Sequence, residues 1–377
     1  MPITIHPVET AADRRAFYRF AFRVYRSDPH WVPHLWPQRR AYLEKQAAFF
    51  ETGEGEFWLA KRGRTVVGTL GTAVDPLRNE ALGQQAATFG FFEVVPEYEV
   101  AAALWQHAGE WARARGLTLL EGPYSFNTHD EPGFLVEGHG GPPTIMMGHT
   151  PPYYAEYAGR FGFEKVKDTL AYRFELPPGV DALSGQHPLL DRIAERVLSR
   201  YGPGVIRHPD LAHWEEELVP LHRVYNRALA TLDDFSRISL AEFSEQALSL
   251  RPLLDPELVF IVEVGGQVVG FSLGLPNLME ALKHAGGLRY RWQYLQLARA
   301  QRRITGVSFK ILAVDPDFWG IGLEALMFRE MARAVMRKGY TWVDGSLTAE
   351  DNPQTNKLAR RLGARVYRRY RIVRLAV

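Results

Sequence analysis

Six short segments in the first half of this 377-residue chain recur, in the same order, in the second half. "ITIHPVE" (3–9) resembles "VIRHPDL" (205–211), and "FRVYRS" (22–27) resembles "HRVYNR" (222–227). "FWLAKRGRTVVG" (57–68) resembles "VFIVEVGGQVVG" (259–270), and "VVPEY" (94–98) resembles "VDPDF" (314–318). "LLEGPYS" (119–125) resembles "WVDGSLT" (342–348), and "TPPYYAEYAGRFGF" (150–163) resembles "NPQTNKLARRLGA" (352–364). Any one match is weak, but six in register restrict the chain to two copies of one supersecondary plan. A length of 377 residues suits two such units.

Each copy reads as a short strand, a helical segment, a hairpin, a strand entering a helix, then strand, helix and last strand. The hairpins turn at Arg62-Gly63-Arg64 and at Val264-Gly265-Gly266. In the first copy Phe17, Phe20 and Val24 share one helical face. In the second, Leu323, Leu326, Met327, Met331, Ala334 and Val335 recur at helical spacing, and Arg337-Lys338-Gly339 is a good helix ending. The expected class is α/β: two lobes, 1–180 and 181–377, each a mixed, mostly antiparallel sheet flanked by helices. The segment 177–204 joins them, with Pro and Gly at both ends and room for one helix.

Composition narrows the chemistry. The absence of cysteine excludes disulfides, thiolate–zinc sites and a cysteine nucleophile. The twelve histidines form no metal-ligand pattern, so no metal is expected. A net charge of +2 does not call for nucleic acid, and none is expected as a partner. No apolar run reaches 18 residues and the N-terminus lacks an apolar signal core, so no membrane span and a cytoplasmic location are the expectations.

The most informative stretch is "AVDPDFWGIGLEAL" (313–326). A strand runs into Asp315-Pro316, then a loop carries Gly320 and Gly322 directly before a helix. Glycines let backbone N–H groups approach a ligand, and the helix start adds its dipole, an arrangement suited to a phosphate or pyrophosphate. Tight packing of strand on helix would also call for glycine here. The order strand, Val-x-Pro, Gly-x-Gly, helix, strand, Asn, helix, Leu-Gly, carried by 313–326 and by "EDNPQTNKLARRLGA" (350–364), resembles the GNAT superfamily of acetyl-CoA-dependent N-acyltransferases.

That resemblance spans most of the chain and implies acyl transfer, foremost acetyl, from acetyl-CoA or another acyl-CoA to an amine of a small molecule or peptide. It implies that Asp317, Phe318, Trp319, Gly320, Ile321, Gly322 and Leu323 surround the CoA pyrophosphate. It places the pantetheine arm along the backbone of Leu312, Ala313 and Val314, and Asn352 near the thioester end. Asn352 is also a good helix N-cap before Pro353. Two departures stand out: Asp317 occupies a position where the family usually has Gln or Arg, and Ala359 stands where its general-acid tyrosine often falls. Tyr367 and Tyr370 are the replacement acid candidates, with aromatic packing as their plain alternative. Asp344 and Glu350, near the ends of the second copy's strands, are candidate bases, and Glu350 and Tyr367 are the expected catalytic pair. A backbone N–H of 311–314 would meet the charge developing on the thioester oxygen.

The first copy has "EYEVAAAL" where the second has "DFWGIGLE", with Glu97 and Glu99 and no glycine, which argues against CoA there. It carries instead a 34-residue loop rich in Gly and Pro (121–154), whose Asn127 and Glu131 are the expected acceptor-binding residues. A loop folded on its own prolines and aromatics is the alternative. The second copy has its own insertion at 276–303, read as one or two amphipathic helices with Leu278, Leu282, Tyr290, Tyr294 and Leu297 on a stripe. Its basic face suits a solvated lid, an acidic partner or a membrane surface. Two further functional classes stay open: transfer from aminoacyl-tRNA, and a CoA-binding protein without catalysis.

Overall fold

The computed structural model of the protein describes residues 1–126, 131–176, 188–232, 235–251 and 254–377. In the first half the elements are β1 (Ile3–Pro7), α1 (Ala11–Val24), α2 (Trp36–Leu43), β2 (Glu54–Arg62), β3 (Thr65–Val74), α3 (Pro76–Leu82), β4 (Ala86–Val94), α4 (Tyr98–Arg113), β5 (Leu119–Gly122), β6 (Phe134–Glu137), α5 (Tyr153–Phe161) and β7 (Glu164–Glu175). The second half follows with α6 (Pro188–Tyr201), β8 (Ile206–Arg207), α7 (Trp214–Leu229), α8 (Leu240–Leu250), β9 (Val259–Val264) and β10 (Gln267–Pro276). It continues through α9 (Met279–Leu282), α10 (Arg291–Gln301), β11 (Gly306–Val314), α11 (Leu323–Arg337), β12 (Trp342–Ala349), α12 (Pro353–Arg361) and β13 (Arg365–Ala376).

The duplicated hairpins are present as β2–β3 and β9–β10, and the two copies share one order of strands and main helices, with β6 extra in the first and α9–α10 standing where the first has α3. The chain-level division at 180/181 lies outside the described residues. In space the copies are interleaved. One sheet runs β1-β2-β3-β4-β5-β13-β7-β12-β11-β10-β9-β8. The last strand of the second copy, β13, pairs with β5 of the first (Val373 opposite Gly122), while β7 of the first pairs with β12 of the second (Trp342 opposite Glu175). β7 and β13 then pair with each other over nearly their whole length. Each half thus closes the other's sheet, and no strand edge is left at the junction to be covered.

Local rules explain the helices. Thr10 and Asp13 form a reciprocal cap at the start of α1. The apolar stripe read over 323–335 is the buried face of α11. It packs beside α6, the helix foreseen in the connecting segment, in a core that includes Val197, Val269, Met327 and Met331. The first half is built around aromatics: Trp105 is fully buried and stacks on Phe92 with ring centroids 4.7 Å apart.

The insertion differs from its expected stripe. Leu278, Leu282 and Leu297 are buried, but Tyr290 and Tyr294 are 49% and 48% exposed. The stripe splits because Gly286 and Gly287 adopt positive φ between α9 and α10 and reset the helical phase.

Candidate functional site

β11 and β12 run parallel, paired from Gly306–Trp342 to Phe309–Gly345, and then part. Beyond that point β11 pairs on one side only, with β10, and β12 stays paired with β7 alone. A bulge accompanies the parting: Leu273 faces Ile311 and Gly274 faces Phe309, so Lys310 is the extra residue.

A buried polar cluster sits at this fork. Asp344 is fully buried. Lys310 Nζ lies 3.2 Å from its Oδ2, Thr144 Oγ1 donates to the same oxygen at 2.7 Å, and Tyr367 Oη donates to Oδ1 at 2.9 Å. Burial first, and then the Asp344 charge, push the Tyr367 phenol well above its ordinary value, so it stays protonated. Thr144 belongs to the long loop of the first copy, so both halves build the cluster. Tyr367 and Asp344, both singled out in the sequence, come together. Lys310 and Thr144 were not foreseen. A lone lysine inside the otherwise apolar "GVSFKILAV" was the available signal for Lys310; nothing local marks Thr144.

The other acid and base candidates hold different partners. Glu350 lies 2.5 Å from Lys165 and 3.5 Å from Arg369, and accepts the Asp168 N–H at 3.1 Å. Tyr370 is fully buried and donates to the Gly148 carbonyl at 3.0 Å.

The glycine loop leads from β11 into α11. Val314 and Leu323 are buried and Leu312, Phe318 and Ile321 partly buried in one apolar cluster, while Ala313 packs in a neighbouring one. Trp319 is 49% exposed, with its indole N–H donating to the Val314 carbonyl at 2.9 Å. Gly320 and Gly322 have φ of +77° and +96°, which favours glycine at both. A Cβ on Gly320 would meet nothing within 4 Å, whereas one on Gly322 would come within 2.4 Å of Ile193 on α6. Gly322 therefore serves packing as well as conformation. It caps α11 without any side-chain hydrogen bond, so the first-turn N–H groups have no side-chain acceptor. Asp317 and the buried Asp315 share one cation: Arg227 of α7 lies 2.7 Å from the first and 2.8 Å from the second. Asn352 caps α12, its Oδ1 accepting from the Thr355 N–H at 3.1 Å. Ala359 is buried. This parting of strands, with open Gly320 and an uncapped helix start, fits the phosphates and extended arm of a CoA thioester.

The first copy has the same fork, and its own atoms fill it. β4 and β5 pair in parallel only over Ala86–Leu119 to Thr88–Glu121. The Tyr124 N–H then donates to the Phe89 carbonyl at 2.9 Å, and a Cβ on Gly90 would strike the Tyr124 carbonyl. At the far end the Val94 N–H donates to Tyr154 Oη at 2.8 Å and the Val94 carbonyl accepts from Tyr153 Oη at 2.8 Å. The backbone groups that would pair with an incoming arm are already used.

That half instead gathers ionisable groups between β4, α2 and the long loop. Glu93 accepts from Tyr154 Oη at 2.7 Å and from Tyr25 Oη at 3.3 Å, and burial pushes its carboxyl up to about 7. Glu131 lies 2.9 Å from Arg39 and 3.2 Å from His34. Burial alone would raise its carboxyl, but His34 and Arg39 hold it well below the usual range. Asn127 lies outside the described residues. Among the described residues no group of side chains is set to hold a metal.

No family model matches the chain. A tandem GNAT protein from the clavulanic acid biosynthesis pathway superposes with a TM-score of 0.56 at 16% identity, covering 100% of this chain and 98% of that one. The chain has the tandem GNAT fold. Two relatives are similar in sequence to the chain over nearly their whole length. The bacterial ceramide synthase of Caulobacter vibrioides is 28% identical over 385 aligned residues, covering 100% of this chain and 98% of the relative. Protein YghO of Escherichia coli is 26% identical over 371, covering 96% and 92%.

Proposed function

We propose that the protein transfers an acyl group from an acyl-CoA, held at the second-copy fork, to an amine. The observation that carries this reading is the asymmetry of the two forks: one is filled by Tyr124 and Tyr154, the other is open with Asp344 buried at its base. An acyl-CoA supplies a thioester, an electrophile that a neutral amine can attack without redox chemistry.

The remaining work falls to the chain. The N–H groups at the start of α11 and the loop backbone at 317–322 hold the phosphates, with Arg227 offsetting part of the charge of Asp315 and Asp317. The edge of β11 at Leu312–Val314, where the Val314 carbonyl already accepts from the Trp319 indole, aligns the arm, and Asn352 stands at the start of α12. As the C–N bond forms and the C–S bond breaks, the amine must lose a proton and the thiolate must gain one. Asp344 is the proposed proton acceptor. Tyr367, kept as a neutral phenol, is the proposed donor, and Lys310 steadies the carboxylate between them. Burial of the cluster excludes water and strengthens each of these interactions. Glu350, whose partners are Lys165, Arg369 and the Asp168 N–H rather than Tyr367, is the weaker catalytic candidate.

Ceramides are fatty amides of long-chain amino alcohols. The full-length similarity to a protein named for that product supports a long-chain amino alcohol as acceptor and a fatty acyl donor. The first half, with Glu131, Arg39 and His34 and the neighbouring Asn127, is the proposed acceptor side. Incubation of the full chain with acetyl-CoA or palmitoyl-CoA and a long-chain amino alcohol, with release of free thiol as the readout, tests the reading. Acceptor-dependent thiol release is expected, faster with the longer donor. No release with either donor would overturn it.

A further inference from the structure

We propose that the exposed face of α10 docks the protein on an anionic lipid surface. On an ordinary surface helix the large apolar residues face inward. Here the inward face is Gln293 and Leu297, while Trp292 and Leu295 are 55% and 64% exposed. Tyr290 extends the same apolar area, its ring parallel to that of Trp292 and 6.2 Å from it. Contiguous exposed aromatics of this kind mark an interaction site rather than ordinary surface.

The charge around the patch selects the partner. No Asp or Glu occurs between Glu280 and Asp315, yet that interval holds Arg289, Arg291, Arg299, Arg302 and Arg303. Arg291, Arg299, Arg302 and Arg303 are exposed. Tryptophan and tyrosine beside arginines that form no ion pair among the described residues suit the interface between lipid headgroups and acyl chains, where rings enter the boundary and guanidinium groups meet phosphate. A protein partner would need shape and counter-charges; a lipid surface needs only this composition on one side of a helix. Among the described residues no helix is long and apolar enough to span a membrane, so the contact is superficial.

The patch also adjoins the site. Leu288 and Leu297 share an apolar cluster with Val32 and Ile145 of the first half. Ile145 follows Thr144, which bonds Asp344. A surface bound through α10 would therefore lie beside the loop that helps build the fork. The docking does not depend on the acyl-transfer reading, and its test uses no activity.

The test is co-sedimentation of the full chain with vesicles of phosphatidylglycerol and phosphatidylcholine in equal parts, against phosphatidylcholine alone. Strong binding to the anionic vesicles, weakened by salt, is expected. Replacing Arg299, Arg302 and Arg303 with Ala lowers that partition by roughly a hundredfold, and Trp292→Ala with Leu295→Ala lowers it by roughly tenfold or more. Arg64→Ala, in the β2–β3 turn, leaves it unchanged. All these side chains are exposed, so melting temperatures stay close to the parent's, which keeps the comparison valid. Equal binding to both vesicle types, or binding that Trp292→Ala/Leu295→Ala does not affect, overturns the proposal. So does a dimer in sedimentation velocity that this double variant converts to monomer, since the face would then belong to a second copy of the chain.

Discussion

Tyr367 Oη stands 2.9 Å from Asp344 Oδ1, and the two residues reach each other from adjacent ends of the closing strand β13 and the forked strand β12. In this contact the phenol carries the proton and the carboxylate oxygen accepts the hydrogen bond. If this contact serves proton transfer, Tyr367→Phe keeps the packing and loses only the O–H. The expected result is acyl-CoA affinity within about twofold of the parent and kcat lower by roughly 10²–10⁴. Calorimetric titration and steady-state thiol release check the two halves separately; a parallel loss of binding would make the residue a packing element.

The two glycines of the loop separate ligand approach from folding. Gly320→Ala meets no neighbour and incurs about 1–2 kcal/mol of backbone strain at φ +77°. It should weaken acyl-CoA binding while lowering stability by no more than that strain. Gly322→Val collides with Ile193, so its melting temperature should fall, and Ile193→Ala in the same chain should recover part of the loss. Melting curves with and without CoA distinguish these outcomes.

Arg227 bridges Asp315 and Asp317 at the mouth of the proposed phosphate site. Arg227→Ala leaves two carboxylates beside the helix start and should reduce CoA affinity. Asp317→Asn should raise the affinity of that variant more than that of the parent. Arg227 is 47% and Asp317 73% exposed, so the coupling expected from a double-mutant cycle is small, about 0.2–1 kcal/mol. Full additivity would show that Arg227 does not screen Asp317.

Glu93 and Glu131 impose opposite pH dependences on stability. Glu93 has its carboxyl raised from 4.5 to about 7. Across that window the unfolded chain loses a proton that the fold retains, so stability falls as pH rises and then levels off. Glu131 is lowered, so its contribution is present above the ordinary carboxylate range and is lost as pH falls through its folded value. Glu93→Gln should flatten the melting temperature between pH 4.5 and 7, whereas Glu131→Gln should lower it throughout that window by leaving Arg39 and His34 without their carboxylate. If Glu131→Gln instead keeps its stability and loses turnover, the carboxylate faces the acceptor, as first read from the loop.

Much was legible before any coordinates. Repeated strings such as Val-Val-Gly after a glycine turn determine hairpins, because strand period and turn chemistry act over a few residues. The helical stripe at Leu323–Val335, the loop at Gly320–Gly322 and its absence at Glu97–Glu99 are local in the same sense, so the two-lobe α/β plan and its asymmetry could be read from order and spacing. What only the tertiary structure decided are relationships between residues distant in the chain. The exchange of β7 and β13 depends on which sheet edge each strand meets, and backbone hydrogen bonding carries no sequence label. Thr144 meets Asp344 across 200 positions, and Arg227 meets Asp317 across 90. Gly322 reads as a phosphate glycine until Ile193 is seen against it. Tyr290 and Tyr294 continue the apolar stripe of Leu278 and Leu282 by spacing, but positive φ at Gly286 and Gly287 turns them outward. Spacing along a chain specifies faces of single elements; which face meets protein, ligand or solvent is set by the assembled packing.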